Sequence, residues 1–462
     1  MRFVNRKHEL AQLNAWWTGP HAGPAIVWGR RRVGKTLLVS KFGRDLPMVM
    51  YTATGQAERG ELTAFSREVQ RAGMSGVRDL VGRPFHDWDD ALEHLATVSA
   101  DSPTLLVLDE FPELLKATPH LDNLLRAFLE RTKTTSRLRI LLCGSAVRAM
   151  QELQAERSAL YGRFTLRLHV RPFEPWEAAE MLPTVAPHDL ALIYGLVGGM
   201  PLYLSWWDGD ATLTENLSRL IATPSAPLLT EGELVMATEL ESQELPSSAL
   251  HAIAAGRTRY GEIQDWMRAN PTRTLDRLVS LGIIERTVPV TEKEDLTRRR
   301  VYTITDNFLA FYLRVVAQYR TEIERGLGAS ILPVLVESLD DFMGDRWEDI
   351  VTRHVRRLAT DSVIGPDIVA VGRWWNKTSS VEIDIVALSG RDRRVSLCGE
   401  VKWRSVIDDP RILRGLQRKA AEIAGDHAVT YLLAARDRVD TDNEGVLVVT
   451  AEDVFARELR QS

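Results

Sequence analysis

The chain of 462 residues is 45% hydrophobic and 26% charged, an ordinary balance for globular proteins, and its length predicts roughly three domains. A net charge of −5 excludes a molecule coated in basic surface, though not a local basic patch. No secretory leader pattern and no bilayer-length apolar run occur, so a cytoplasmic protein without a membrane partner is expected. Cys143 and Cys398 each sit in an apolar, strand-like run, which predicts buried free thiols rather than a bridge or a metal site.

In chain order, Phe3 to Leu10 leads into a helix with Leu10, Leu13 and Trp17 at helical spacing. Pro24 to Trp28 is a short apolar run that reads as a buried strand. It is followed by Gly29-Arg30-Arg31-Arg32-Val33-Gly34-Lys35-Thr36, with Leu37 opening a helix. Strand, G-x-x-x-x-G-K-[ST] and helix together are the phosphate-cradling loop of P-loop NTPases. Gly29 and Gly34 permit backbone angles that let N–H groups turn inward around an anion, and the helix N-terminus adds its positive dipole end. Gly29 through Leu37 are thus the expected contacts to ATP or ADP. Lys35 reaches the β- and γ-phosphates, and Thr36 offers its hydroxyl to Mg²⁺. Lying just ahead of such a loop, Phe3 to Leu10 resembles the opening element of AAA+ and STAND ATPases. In those families it packs over the adenine; here Asn5 replaces the usual glycine.

Thr104 to Leu108 is a continuous apolar strand ending in Asp109-Glu110. A buried parallel strand would carry Asp109 to the Mg²⁺ shell, and Glu110 would orient and polarise the attacking water. The next strand, from Leu138, ends in Ser145, which is either a γ-phosphate sensor or the cap of the following helix. Arg163, in Leu160-Tyr161-Gly162-Arg163, is either a γ-phosphate arginine acting in cis or on a neighbour, or half of a structural salt bridge. Strands near 24–28, 48–52, 104–109, 138–143 and 164–170 alternate with helices, which predicts an α/β domain with a parallel sheet over 1–170.

A helical lid is expected over 171–245. There Gly198-Gly199-Met200-Pro201 resembles the Gly-x-Pro element of STAND ATPases, whose proline faces the base, so Pro201 joins the nucleotide contacts by resemblance. A winged helix is expected over 246–305. Its third helix carries Arg273 and Arg277, and its wing carries Arg298-Arg299-Arg300. This set serves either duplex DNA phosphates or an intramolecular clamp. Connecting helices fill 306–345.

Over 346–462, Val381 to Val386 and Cys398 to Trp403 alternate with period two. Neighbouring strands would then present Asp384, Glu400 and Lys402 together, with Glu348 contributed by a helix. This resembles the Asp…Glu-x-Lys signature of restriction-endonuclease-like nucleases. That resemblance implies Mg²⁺ on Asp384 and Glu400, Glu348 completing the metal site, Lys402 steering a water, and Gln417 and Lys419 as accessory contacts. A cross-strand salt-bridge ladder is the alternative. Trp374 and Trp375, in the connection before Glu382, either stack on bases or join the core. The order of domains resembles the archaeal-type ATPase family, a STAND-like or AAA+-like group. It implies an ATP-dependent switch acting on nucleic acid, with DNA as the expected substrate and a homo-oligomer in the ATP state as a further expectation.

Overall fold

The structure is a computed structural model describing residues 3–20, 23–239, 244–408, 410–425 and 427–459. The chain divides after Pro172 into two compact units.

The first unit is built on β1 (Ala25–Trp28), β2 (Met48–Thr52), β3 (Thr104–Asp109), β4 (Leu138–Gly144) and β5 (Leu166–His169). All pair in parallel, in the order β2-β3-β4-β1-β5. Every residue of β3 is buried, which explains its unbroken apolar run. Ile26, Leu106, Leu108 and Ile140 pack with Phe65, Trp88, Phe111 and Phe128 in one large core. Each such side chain contributes about 1.5–3 kcal/mol on burial. Helices Lys7–Thr18 and Lys35–Phe42 meet through Trp16, Trp17 and Phe42. Because β4 lies between β1 and β3, the residues that follow β4 fall between the glycine loop and the Asp109-Glu110 pair.

The second unit starts with helices, among which Pro175–Ala178, Pro187–Val197, Pro201–Trp206 and Pro227–Glu239 begin with proline. Helices Glu244–Ala254, Tyr260–Met267 and Thr272–Ser280 precede an antiparallel hairpin of β6 (Ile284–Thr287) and β7 (Val301–Ile304). Leu275 and Leu278 bury one face of the third helix. Helix Leu339–Thr360 runs unbroken across residues 345 and 346, where a domain junction is expected from sequence. Its stripe of Trp347, Ile350, Val351, Val355 and Leu358 is continuously apolar, so the helix continues.

Next come β8 (Ile368–Trp375), β9 (Glu382–Ser389), β10 (Arg394–Val401), β11 (Val406–Ile407), β12 (Thr430–Ala434), β13 (Arg438–Val439) and β14 (Val446–Val449). Five of them form a mixed sheet in the order β14-β12-β10-β9-β8. β8, β9 and β10 are antiparallel neighbours, whereas β10, β12 and β14 are parallel. Helix Pro410–Ala424 makes the crossover from β10 to β12 and packs Leu416 and Ala420 on Ile383, Val386 and Cys398. The expected connection holding Trp374 and Trp375 is instead the end of β8. Both indoles are buried there, 8% and 7% exposed, which overturns base stacking by an exposed pair. Cys143 and Cys398 are buried free thiols.

Candidate functional site

The glycine loop leaves β1 at the C-terminal edge of the parallel sheet and enters helix Lys35–Phe42. Gly29 has no room for a side chain: a Cβ would lie 2.2 Å from the Val170 carbonyl oxygen. Gly34 sits at φ 92, in the left-handed region, as the residue preceding the helix. Arg32 also takes a positive φ of 69, which nothing in the glycine pattern signals. Val33 is buried, and its carbonyl accepts from the Arg6 guanidinium at 3.0 Å. Asn5 and Arg6 are both left-handed, so Asn5 adopts the conformation that the usual glycine would supply.

Lys35 is 5% exposed and donates to the carbonyls of Gly29 and Arg30, each at 2.9 Å. Burial pushes its ammonium below the usual value, against the opposing pull of Glu110 and Asp109. Thr36 Oγ1 donates to Asp109 Oδ2 at 2.9 Å, joining the loop to the end of β3. These are hard oxygen donors beside a phosphate cradle, and they fit a divalent cation. Glu110 follows at φ 51 as the residue preceding helix Phe111–Ala117. Its Oε2 accepts from Ser145 Oγ at 2.9 Å and from Ser145 N at 3.2 Å. Ser145 therefore holds Glu110. It does not cap the next helix, whose N-cap is Ala146.

Arg163 pairs with Glu130 at 2.9 Å. Thr165 N bonds the Pro24 carbonyl ahead of β1, so Arg163 lies at the N-terminal edge of the sheet, opposite the loop. That placement overturns a γ-phosphate contact within the same chain. Pro201, expected at the base, is buried at the start of its helix in the second unit. Sequence reading missed Glu61, whose buried carboxylate accepts from Tyr51, Thr54 N, Thr54 Oγ1 and Gln56 N. Burial alone would raise its pKa, but these donors together lower it. Glu61 thereby organises the loop after β2, which joins β3 through Ala53 N and the Asp109 carbonyl. Only its separation of 5 to 10 residues from those partners hints at this.

In the second unit, Asp384 and Glu400 are 7% and 8% exposed and lie one register step beyond the Ile385–Gly399 pair. Lys402, just past β10, reaches Glu400 at 2.8 Å and Asp384 at 3.6 Å. Lys419 meets the other Glu400 oxygen at 2.8 Å, and Val401 N donates to Asp384 at 2.8 Å. Burial raises the Asp384 pKa against the pull of Lys402. Glu348 is nearby but turns to Arg373, 3.0 Å away, and burial pushes it up to about 7. Among the described residues no group of three or more His, Cys, Asp or Glu side chains could hold a metal. Glu348, expected as a further ligand, pairs here with Arg373 and not with the two other carboxylates. Asp384 and Glu400 remain as a two-carboxylate pair, a donor set that Mg²⁺ accepts when it keeps several waters.

Two of the three wing arginines are used internally, and Arg298 is exposed. Arg299 pairs with Glu292 and donates to the Trp375 carbonyl at 2.6 Å, and Arg300 donates to the Glu294 carbonyl at 3.2 Å. Val290 N bonds the Arg373 carbonyl at 2.9 Å, so the wing docks on the edge strand β8. Between hairpin, helix Leu339–Thr360 and β8 lies a cavity of about 350 Å³ that Glu348, Arg373 and Glu382 help to line.

A glycine loop after β1, tied through Thr36 to the acid that ends β3 in a parallel sheet, defines a P-loop NTPase core. Residues 3–206 match the family described as an ATPase domain predominantly from Archaea. Over those residues the chain is similar to that family, in keeping with the P-loop core. Residues 312–420 match a family described as archaeal and bacterial proteins of unknown function. An uncharacterized protein of Methanocaldococcus jannaschii is 27% identical over 454 residues, 96% of this chain and 97% of that one. An uncharacterized ATP-binding protein of the same organism is 55% identical over 40 residues, 9% of this chain and 68% of that one. Among solved structures, the Walker-type ATPase of Pyrococcus abyssi is similar in fold, with a TM-score of 0.53 at 19% identity, over 68% of this chain and 96% of that one. No helix among the described residues is long and apolar enough to cross a membrane.

Proposed function

We propose that the protein is an ATP-hydrolysing switch whose nucleotide state governs a C-terminal site that cleaves DNA phosphodiesters. The observation that carries the ATPase part is the bond from Thr36 to Asp109, with Glu110 seated next to it by Ser145. On binding, Lys35 exchanges the carbonyls of Gly29 and Arg30 for phosphate oxygens. Thr36 and Asp109 would hold Mg²⁺, which spreads the phosphate charge. Glu110 orients the attacking water, and Ser145 keeps the carboxylate in place through the cycle.

At the C-terminal site, Asp384 and Glu400 would hold Mg²⁺, which supplies charge neutralisation at a phosphate and a more acidic water. Lys402 lies between the two carboxylates, positioned to steer a water. A second reading, in which this domain only grips DNA or a protein, is favoured by one observation: Lys402 and Lys419 already neutralise Glu400. An oligomer in the ATP state would use Arg163 only on a neighbouring copy.

Phosphate release and plasmid nicking, with and without ATP in Mg²⁺ or Mn²⁺, test both parts. Glu110→Gln is expected to retain nucleotide while kcat falls by about 10²–10⁴. Lys402→Ala is expected to abolish nicking and spare phosphate release. A Lys35→Ala variant that binds nucleotide as well as the parent overturns the ATPase reading. Nicking that survives in Lys402→Ala overturns the cleavage site.

A further inference from the structure

We propose that nucleic acid is held by the outward face of helix Pro410–Ala424 rather than by the winged helix. The inference rests on the reading of the neighbouring Asp384–Glu400–Lys402 site as one that acts on DNA. This helix carries four basic residues and one acidic one, in a chain whose net charge is −5. Leu416, Ala420 and Ala424 point to the sheet. Arg411, Arg414 and Arg418 fall on the opposite side and are exposed. Among the described residues neither Arg414 nor Arg418 has an acidic partner.

The geometry suits a phosphate backbone. Arg411 to Arg418 spans about 10 Å at 1.5 Å per residue. Phosphates of one strand advance about 3.4 Å each along a duplex, so the stripe matches about three of them. Gly415 sits within the stripe with open space where a Cβ would be, which lets a bulky partner approach the helix. Lys419, the next residue after Arg418, reaches inward to Glu400 at 2.8 Å. The helix that presents the arginines outward thus also borders the acid pair through Lys419 on its flank. In the wing, Arg299 and Arg300 are bound to its own loop and to β8, which leaves Arg298 as the one exposed arginine of that run rather than a stripe.

The test is binding of the full chain to a labelled DNA duplex in EDTA, so that cleavage plays no part, across 50–200 mM salt. Arg414→Ala/Arg418→Ala is expected to reduce the slope of log K against log[salt] by about 2, at about 0.9 per phosphate contact. Parent and variant affinities then converge by about tenfold over that range. Arg414→Lys/Arg418→Lys is expected to keep most of the affinity, which separates charge from fold. Loss of binding in Arg273→Ala, with the double variant unaffected, overturns the proposal in favour of the winged helix. Binding to acidic phospholipid vesicles that duplex does not displace overturns it in favour of a membrane surface. Duplex binding that needs Arg414 and Arg418, without nicking in Mg²⁺, keeps this surface and removes the nuclease reading. Nicking with unchanged affinity in the double variant does the reverse.

Discussion

His354 lies on helix Leu339–Thr360, 3% exposed, with its Nδ1 unbonded among the described residues. Burial pushes its pKa down to about 4, with Asp453 pulling the other way. The unfolded imidazole titrates near 6.5. Between these values the unfolded chain binds the extra proton, so stability is full above about 6.5 and is lost as pH falls towards 4. At about 1.4 kcal/mol per unit the loss amounts to about 3 kcal/mol. A His354→Leu variant is expected to lose correspondingly less stability than the parent between pH 7 and pH 4, read from denaturant unfolding. Parallel curves for the two proteins would refute this. At the same scale, Lys35, Thr36, Asp109 and Glu110 were legible because a phosphate loop and an acid-ended strand are local patterns. Glu61 was not, because its partners Tyr51, Thr54 and Gln56 are collected by a chain reversal that no short pattern marks.

At the scale of elements, the turn from β1 into its helix depends on the absence of a side chain at Gly29. A Cβ there would meet the Val170 carbonyl oxygen, a backbone atom that cannot move without shifting the end of β5. Gly29→Ala is expected to cost about 1–3 kcal/mol of stability and to lose nucleotide retention, checked by thermal unfolding and a binding assay on one preparation. An unchanged Tm with intact binding would contradict it. The three helices and the hairpin over 244–304 were legible too, because proline ahead of the first turn and the Leu275–Leu278 stripe mark the third helix. What the wing does was not legible. An arginine run looks the same whether it faces phosphates or folds back on Glu292 and the Trp375 carbonyl.

For the second unit taken whole, the wing covers the β8 edge and closes a cavity lined by Glu348 and Arg373, beside the Asp384–Glu400 pair. An uncovered edge strand pairs readily with other chains, so this cover also protects the sheet. The charged bond from Arg299 to Trp375 contributes about 1.5–3 kcal/mol to the closed form. Arg299→Ala is therefore expected to raise proteolytic nicking within residues 288–300 by about tenfold or more, and to raise any DNA nicking with it. Cleavage of that segment at the parent's rate would show that the wing is held by other contacts.

By itself the sequence determined the glycine loop, the acid pair that ends its apolar strand, the two buried thiols and the alternation of strands and helices. Each depends on residues within a few positions of one another, where backbone geometry and apolar period act directly. Only the tertiary structure decided that β4 inserts between β1 and β3 and so hands Glu110 to Ser145. It likewise decided that Arg163 belongs to the far edge of the sheet and that Glu348 pairs with Arg373. Those outcomes follow from strand order and from which opposite charges burial brings within about 3 Å, and chain separation carries neither.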